Sequence, residues 1–262
     1  MRTISFWLIS IVLVIDLSTS CYGFEEYERP RNVILIGWDG AQRNHVKECL
    51  SRGELPHLRK LSSEGILVAI DILRTTDTKA GWAQILTGYE PEVTGVFSNS
   101  DFKPIPKGYT VFERLESFFA SENFVSVAVI GKKGNIGISP PKRLDVKKLK
   151  NKKYRKRIMR QGKKVIEGGV EYLLIPAEPY YYTQEVMDVF IIGLMEDRKV
   201  GTKALDLLEK YKDKQFFFFV HFAEIDHKGH KHGENSQEYN NALISADYWT
   251  GKIMEKLKAL DL

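Results

Sequence analysis

Two groups of residues in this 262-residue sequence have types and spacing suited to binding a metal ion. Asp39 directly follows a short apolar run, and residues 221–233 contain four of the six histidines together with Asp226. Asp226 and His230 are four residues apart with Gly229 between them, so a tight loop can bring both to one cation. Carboxylate and imidazole ligands suit Zn²⁺ or a similar divalent ion. The alternative is a solvated polar loop that is merely rich in histidine.

A threonine, Thr78, stands where a loop is predicted to run into a short amphipathic helical turn. The N-terminus of a helix attracts anions because its backbone N–H groups have no partner within the helix. An isolated threonine at such a position is more commonly a helix cap. Beside a metal ion, its hydroxyl would lose its proton more readily and act as a nucleophile. Both interpretations of Thr78 therefore stand at this stage.

Alternating strands and helices are expected to position these residues. Short apolar runs predict strands at residues 32–37, 66–70, 124–130, 171–175 and 215–222, and helical periodicity covers residues 43–50, 56–63, 110–120, 183–211 and 237–260. Continuous apolar runs are typical of parallel strands that are covered on both faces. The pattern predicts an α/β fold, with a doubly wound, mostly parallel sheet and helices on both faces. Functional groups gather at the carboxyl ends of the strands in such a sheet.

Composition excludes several classes of protein. With 43% hydrophobic residues, 28% charged residues and nine prolines, the chain is neither disordered nor collagenous. Two cysteines exclude a disulfide scaffold and a cysteine-rich zinc module. Residues 132–164 carry fifteen Lys or Arg and one acid, a local charge of +14 against +5 overall, which leaves −9 elsewhere. The protein is therefore not a uniformly basic nucleic-acid binder, and no specific nucleic-acid partner is expected.

The most basic stretch, residues 142–164, has poor apolar periodicity. We interpret it as an insert into the α/β domain, in the form of a surface helix or a mobile loop. A charge run of this kind can dock on anionic lipid or nucleic acid, although it is more commonly a solvated surface.

The N-terminus has the pattern of a targeting segment. Arg2 precedes an apolar run over residues 4–15, and the small residues Ser18, Ser20 and Gly23 follow. This pattern predicts a signal peptide over residues 1–23 and a mature domain over residues 24–262. An uncleaved anchor in contact with the membrane is the alternative. Either form predicts a secreted or periplasmic protein.

In combination, these motifs resemble the alkaline phosphatase superfamily, in its type I phosphodiesterase/nucleotide pyrophosphatase branch. Four features carry the resemblance: a first strand ending in Asp39, Thr78 followed nine residues later by Thr87-Gly88, Asn99 twenty-one residues after Thr78, and the Asp226–His230 motif before a long helix. The resemblance runs from about residue 32 to the last residue. It implies a metal-dependent phosphoric ester hydrolase acting on a small phosphate ester.

The resemblance also implies roles for individual residues at a site with two divalent ions, Zn²⁺ being the expected metal. Asp39 and Thr78 would belong to one ion, and Asp226 and His230 to the other. Thr78 would attack phosphorus and form a covalent phosphoenzyme. The Asn99 amide and the Thr78 backbone N–H would stabilise the charge that develops on the phosphoryl oxygens.

The nucleophile segment departs from the sulfatases of the same superfamily. Those enzymes need Cys or Ser followed by Pro and Arg, where this sequence has Thr78-Lys79-Ala80. A sulfatase that depends on an oxidised cysteine is therefore not expected. The pair Gly131-Lys132 does resemble a sulfatase Gly-Lys pair, so Lys132 and Lys79 are candidates for binding a substrate anion. A lysine is more commonly solvated at the surface, and that interpretation ranks first.

The family pattern continues with an Asp-His pair and a later His, which have no counterpart in this sequence. His45 and His57 lie in predicted helices and match neither role. Each predicted ion keeps two protein ligands, against the usual three or more. We therefore expect a C-terminally truncated domain that lacks its late strands and exposes a sheet edge and apolar surface.

Several functions remain open at this stage. The leading hypothesis is a phosphodiesterase-like hydrolase. The alternatives are a phosphomonoesterase or sulfatase-like relative, a non-catalytic homologue that binds a cation or a partner, and an exported α/β domain whose motifs are coincidental.

Overall fold

The computed structural model describes residues 32–70, 72–119 and 122–262. The predicted signal peptide, residues 1–23, lies outside the described residues. The strands are β1 (Asn32–Trp38), β2 (Phe124–Ile130), β3 (Lys142–Asp145), β4 (Lys163–Glu167), β5 (Val170–Ile175), β6 (Val189–Ile192) and β7 (Gln215–Phe222). The α-helices are α1 (Arg43–Ser51), α2 (Pro56–Glu64), α3 (Thr78–Thr87), α4 (Pro91–Thr94), α5 (Val111–Phe119), α6 (Lys152–Ile158), α7 (Asp197–Tyr211), α8 (Glu224–His232) and α9 (Gln237–Ala259). None of these helices is long and apolar enough to cross a membrane.

Four strands form a parallel sheet in the order β1-β7-β2-β6. The two central strands have the sequences FVSVAVI and QFFFFVHF. Every residue of β2 and all but the first of β7 are buried, which explains why their sequences are continuously apolar instead of alternating. The predicted α/β fold with a parallel sheet is confirmed.

Helices cover both faces of this sheet. Side chains of β7 alternate between the two faces, as the period of a strand requires. Phe216, Phe218 and Val220 belong to one apolar cluster with residues of α7 and α9, whereas Phe217 and Phe219 belong to a second cluster with residues of α3 and α5. The sheet is therefore the middle layer of three, and its two cores hold the strand ends in fixed positions.

The carboxyl ends of three strands meet at one edge of the sheet. The Asp39 N–H, directly after β1, donates to the Phe222 carbonyl of β7 at 3.0 Å. The Gly131 N–H, directly after β2, donates to the His221 carbonyl at 2.8 Å. The chain enters α8 two residues after β7 ends. Residues that are far apart in the sequence are thereby brought to the same edge.

The helical prediction over residues 183–211, which left open a division at Gly193 or Gly201, is wrong in its first half. That half contains a 3₁₀ turn, Thr183–Glu185, and the edge strand β6, and only Asp197–Tyr211 is α-helical. The run Val-Phe-Ile-Ile of β6 favours a strand because three of its four residues are β-branched, and the strand pairs with β2 in the parallel sheet. Gly193, with φ of +82°, then turns the chain towards α7.

The run at residues 66–70 was also expected to be a strand, and it has no regular secondary structure. No described strand pairs with it, and its apolar side chains are exposed, Ile66 to 88%. The run at residues 171–175 does form a strand, β5, but outside the parallel sheet. Apolar composition predicted a strand at both segments, but it does not specify whether a partner strand lies beside them.

The basic stretch at residues 142–164 is neither a single surface helix nor a loop. It forms β3, a 3₁₀ turn, α6 and the beginning of β4, and β3, β5 and β4 make a small antiparallel sheet in the order β3-β5-β4. Val146, Ile158 and Leu173 form its own small core. The periodicity of these core residues was not recognised in the sequence because charged side chains outnumber them in this stretch.

Candidate active site

Five of the seven predicted site residues line one cavity of about 770 Å³ at the carboxyl edge of the parallel sheet. They are Asp39, Thr78, Asn99, Asp226 and His230. Three separate segments supply them: the end of β1, the α3 segment with the loop after it, and α8. The remaining two residues, Lys79 and Lys132, do not line the cavity, although Lys132 contacts two of the acids that do.

Asp39 is held at the base of this cavity by main-chain and side-chain contacts. Its N–H bonds to β7, and its carbonyl accepts from the Asp226 N–H at 3.0 Å. One carboxylate oxygen, Oδ2, is 3.1 Å from His221 Nε2 and 3.5 Å from Lys132 Nζ. Burial by itself would raise the pKa of Asp39, but the hydrogen bond from His221 and the charge of Lys132 outweigh it and lower that pKa below its usual value.

His221 is a residue that the sequence analysis counted among the histidines but did not assign to the site. It lies in β7, is fully buried, and packs edge-on against Trp82 at a ring separation of 5.1 Å. Its Nδ1 has no hydrogen-bond partner among the described residues. A neutral ring that donates from Nε2 to Asp39 leaves only an acceptor unpaired, so His221 orients the Asp39 carboxylate from below.

Lys132 lies between the two acids of the cavity. It follows β2, is 7% exposed, and its ammonium contacts Asp226 Oδ2 as well as Asp39 Oδ2. The expectation of a solvated surface lysine is therefore wrong for this residue. An ammonium that is largely removed from water needs carboxylate partners, and these two carboxylates need a positive charge in return.

Asp226 and His230 lie on α8, and the predicted tight loop is instead a helix. A spacing of four residues places them on the same helical face, and His230 Nε2 is 3.4 Å from Asp226 Oδ1. His230 is 83% exposed at the mouth of the cavity. The close approach of α8 to the end of β1 depends on Gly40, since a Cβ there would lie 2.6 Å from the Asp226 Cα.

Thr78 is the first residue of α3 and is 8% exposed. Its hydroxyl makes no hydrogen bond to any described residue, so the interpretation of Thr78 as a helix cap has no support in its contacts. The loop after α4 holds the helix start instead. Asn99 Oδ1 accepts from the Lys79 N–H at 2.9 Å, and the Asn99 N–H donates to Asp77 Oδ2 at 3.0 Å. These two bonds do not use the Asn99 Nδ2 group, and Asn99 lines the same cavity as Thr78.

Lys79 points away from the cavity. Its ammonium contacts the Glu178 carboxylate and lies 3.9 Å from the centre of the Phe102 ring. Lys79 is 2% exposed, and this burial lowers its pKa even though Glu178 acts in the opposite direction. Here too the surface expectation is wrong, and in this arrangement Lys79 anchors α3 instead of facing a bound anion.

Asp77 and Tyr239 contribute to the site without having been predicted. The Tyr239 hydroxyl donates to the Gly40 carbonyl at 2.8 Å and accepts from the Gln42 N–H at 3.0 Å, which fixes the turn after β1. No local signal marks a tyrosine in the middle of a long helix as a partner of a distant turn. Asp77, by contrast, directly precedes Thr78, and its position next to a helix start was a usable signal.

The donor types at this cavity fit a divalent ion, but their arrangement does not fit two. Within the described part of the chain, no three side chains among His, Cys, Asp and Glu converge closely enough to hold an ion. Lys132 contacts the same carboxylate oxygens that a metal would use. The two-ion arrangement implied by the motif resemblance is therefore not present among these residues.

This cavity lies at the carboxyl edge of a parallel sheet and beside a helix N-terminus, which is where α/β proteins bind anionic ligands. A family model described as type I phosphodiesterase/nucleotide pyrophosphatase matches residues 33–262, and the chain belongs to this family. The resemblance that the motifs indicated is thereby confirmed. The family is generally metal-dependent. A comparison with curated proteins found no match.

Two solved structures represent the structural matches. Phosphonoacetate hydrolase from Sinorhizobium meliloti 1021, in complex with phosphonoformate, is 15% identical with a TM-score of 0.45, and the match covers 88% of this chain and 54% of that one. Murine ectonucleotide pyrophosphatase/phosphodiesterase 5, an inactive variant in complex with AMP, is 13% identical with a TM-score of 0.49, covering 89% and 54%. The chain spans about half the length of these structures.

Proposed function

We propose that this protein hydrolyses phosphoric esters in the manner of phosphodiesterases and nucleotide pyrophosphatases, with Thr78 as the nucleophile. The observation that carries the proposal is the position of Thr78, at the N-terminus of α3 and on the wall of the cavity that Asp39, Asn99 and Asp226 also line. Membership of the family supports the general reaction class. A small phosphate ester is the substrate that a cavity of this size and polarity suits.

In the proposed reaction, the Thr78 hydroxyl gives its proton to solvent and its oxygen attacks phosphorus, while the bond from phosphorus to the leaving oxygen breaks and that oxygen takes a proton from solvent. Water then attacks the same phosphorus and loses a proton to solvent, while the bond from phosphorus to the Thr78 oxygen breaks and Thr78 regains its proton. Negative charge on the other phosphoryl oxygens is met by the Asn99 Nδ2 group and by the positive end of the α3 dipole. Asn99 Oδ1 accepts from the Lys79 main-chain N–H, and the Asn99 main-chain N–H donates to the Asp77 carboxylate. The Asn99 amide is therefore oriented before substrate binds.

A divalent ion, when bound, would supply positive charge that favours the deprotonated Thr78 hydroxyl and neutralises the phosphate. We propose Asp39, Asp226 and His230 as its protein donors, a set whose chemistry suits zinc but whose side chains must move closer together than they lie in the described structure. Binding there requires the Lys132 ammonium to leave the two carboxylates. A second ion would need further donors beyond this set.

Replacing the proposed nucleophile tests the function. The substitution Thr78→Ala is expected to lower kcat/KM for bis-p-nitrophenyl phosphate by roughly 10³-fold or more, because it removes the atom that attacks phosphorus. A quenched reaction of the unaltered protein should also yield a peptide phosphorylated at Thr78 by mass spectrometry. Both measurements use the full chain with added divalent ions.

Thr76→Ala is the matched control, since Thr76 lines the same cavity but is exposed and lies outside α3. Its kcat/KM is expected to stay within a few-fold of the unaltered protein. Hydrolysis that survives Thr78→Ala at an undiminished rate would remove Thr78 from the nucleophile role.

A second candidate function, binding without turnover, is favoured by the position of Lys132. Its contacts with Asp39 and Asp226 occupy the two carboxylates that a catalytic ion would need. A protein of this kind would hold a phosphate-bearing ligand on α3 and Asn99 and leave it intact. Binding of orthophosphate without any hydrolysis of bis-p-nitrophenyl phosphate, in the presence of each divalent ion tried, would decide for this candidate.

We further propose export from the cytoplasm, as a secreted or periplasmic protein. The support is the N-terminal pattern of Arg2 followed by the apolar residues 4–15 and small residues. The N-terminal sequence and intact mass of the native protein test it. A mature N-terminus near Gly23 is expected, and a cytoplasmic protein that retains Met1 would contradict the proposal.

A further inference from the structure

A second cavity lies beside the first and is lined by the basic insert. Its volume is about 430 Å³, and its walls come from Asn99, Ser100 and Asn135 on one side and from Lys153, Lys156, Arg160 and Gln161 on the other. Asn99 lines both cavities. The second cavity therefore begins at the same amide that we place against the reacting phosphate.

The three cations of this cavity share one face of the chain. Lys153 and Lys156 are three residues apart on α6, and Arg160 follows four residues later in the turn after the helix. Spacings of three and four residues bring side chains to the same side of a helix. The packing of Ile158 against Val146 and Leu173 turns the opposite side of α6 towards the small antiparallel sheet.

No acid among the described residues neutralises this cluster. Among the described residues, none of the three cations forms an ion pair, and no Asp or Glu lines the cavity. Other cations of the same insert do have acidic partners: Arg143 pairs with Glu167 at 2.6 Å, and Lys164 pairs with Glu171 at 3.0 Å. Three like charges around one concave surface repel one another and are stabilised by an anion between them.

We propose that this cavity is an anion subsite that selects phosphoric esters carrying a second phosphate group. The scissile phosphate would lie at Thr78 and Asn99, and the second phosphate would lie between Lys153, Lys156 and Arg160. The inference rests on the proposed function for the identity of the first position. It assigns the basic insert a role in substrate selection, in place of the solvated surface or the docking on a polyanion that its composition left open.

The experiment measures binding of two probes, inorganic tripolyphosphate and orthophosphate, by calorimetry in metal-free buffer at low salt. The variant Lys153→Ala/Lys156→Ala/Arg160→Ala is expected to bind tripolyphosphate roughly tenfold or more weakly, because it removes three positive charges from the cavity. Orthophosphate, which is short enough to occupy the first position alone, should lose much less affinity. The tripolyphosphate affinity of the unaltered protein should also fall as salt concentration rises.

The matched control is Lys147→Ala/Lys148→Ala/Lys150→Ala, which removes the same charge from exposed residues of the same insert that do not line the cavity. It should bind tripolyphosphate nearly as the unaltered protein does. Equal losses in the two variants would mean that only general charge attraction is involved, and they would overturn the subsite. An unaffected cavity variant, or no tripolyphosphate binding by the unaltered protein, would overturn it as well.

Failure of this inference is distinguishable from failure of the proposed function. Binding is measured without turnover, and Thr78→Ala should retain its tripolyphosphate affinity. An unaltered protein that binds tripolyphosphate in the cavity but never hydrolyses bis-p-nitrophenyl phosphate would contradict the hydrolase and leave the subsite standing. Hydrolysis of bis-p-nitrophenyl phosphate by the unaltered protein, together with a cavity variant that binds tripolyphosphate as tightly as the unaltered protein does, would support the hydrolase and contradict the subsite.

Discussion

At the scale of single residues, the charge of the candidate site depends on Lys132. Its ammonium is the cation that contacts both Asp39 and Asp226, and all three side chains are largely buried. Removing one member of such a group is costly because the remaining charges lose their compensation while they stay out of water. A divalent ion that takes the place of the ammonium would compensate the same two carboxylates.

Lys132→Met is therefore expected to lower the free energy of unfolding of the metal-free protein by about 3 kcal/mol. It is also expected to bind Zn²⁺ more tightly than the unaltered protein, because the competing ammonium is gone. Denaturant unfolding without metal measures the first effect, and calorimetric titration with Zn²⁺ measures the second. Added Zn²⁺ should restore stability by mass action.

Lys133→Met provides the control, since the neighbouring Lys133 is exposed and contacts neither acid. It should change neither stability nor Zn²⁺ affinity appreciably. If Lys132→Met unfolds at the same denaturant concentration as the unaltered protein and binds Zn²⁺ no more tightly, Lys132 neither compensates the carboxylates nor competes with metal.

At the scale of secondary-structure elements, α8 is positioned by a carboxylate that belongs to another helix. Asp197, the first residue of α7, is fully buried, and its Oδ1 accepts from the N–H groups of Ala223 and Glu224 at 3.3 Å each. Its Oδ2 has no partner among the described residues. Burial and the nearby Glu224 charge raise the pKa of Asp197 to about 7, against the two hydrogen bonds that lower it.

This raised pKa predicts a pH-dependent stability. Between the unfolded and folded pKa values the folded state binds the proton that the unfolded state has lost, so stability falls as pH rises through this window. We expect a fall of about 2 kcal/mol between pH 5 and pH 8 from this residue. Asp197→Asn keeps an acceptor for Ala223 and Glu224 and should remove that fall. Denaturant unfolding at the two pH values measures it.

Asp206→Asn is the matched control, because Asp206 is an exposed acid on the same helix. Its pH dependence should equal that of the unaltered protein. If the stability of Asp197→Asn falls between pH 5 and pH 8 as much as that of the unaltered protein, Asp197 is ionised in the folded protein throughout this range. That result would contradict the interpretation of Asp197 as a protonated anchor of α8.

At the scale of the whole molecule, the described part exposes a continuous apolar segment. Ile66, Leu67, Val68 and Ile70 are each more than 60% exposed, and the segment has no strand partner among the described residues. Single exposed apolar side chains are ordinary, but four in one short segment form a patch that favours association.

The double substitution Ile66→Asn/Val68→Asn is expected to weaken self-association of the full chain by roughly tenfold. It removes exposed apolar side chains whose burial between two copies of the chain favours association. Thermal stability should hardly change because neither side chain belongs to a core. Sedimentation velocity over a range of concentrations measures the association. Phe118→Asn, at a similarly exposed apolar residue that does not belong to this segment, should have a much smaller effect. Self-association that is equal in both variants would show that the patch is not the contact surface.

Much of the parallel sheet was predictable because its signals are local. The runs that became β1, β2 and β7 are mostly apolar. For the central strands β2 and β7, which are buried on both faces, little else is allowed, whereas β1 is only partly buried. Residues 66–70 have a similar composition and form no strand. Pairing requires a neighbour in space, which composition does not specify, and for the same reason β5 was recognised as a strand but not as part of a second sheet.

The sequence by itself determined that Asp39, Thr78, Asn99, Asp226 and His230 belong together, because their types, order and spacing resemble one family. Only the tertiary structure decided what surrounds them. Lys132 meets Asp226 across 94 positions of the chain, His221 meets Asp39 across 182, and the cations of α6 share a cavity with Asn99. Electrostatic contacts act through space at a few ångströms, whereas local sequence patterns describe neighbours along the chain. Which charged groups meet at this site therefore depends on the folded structure.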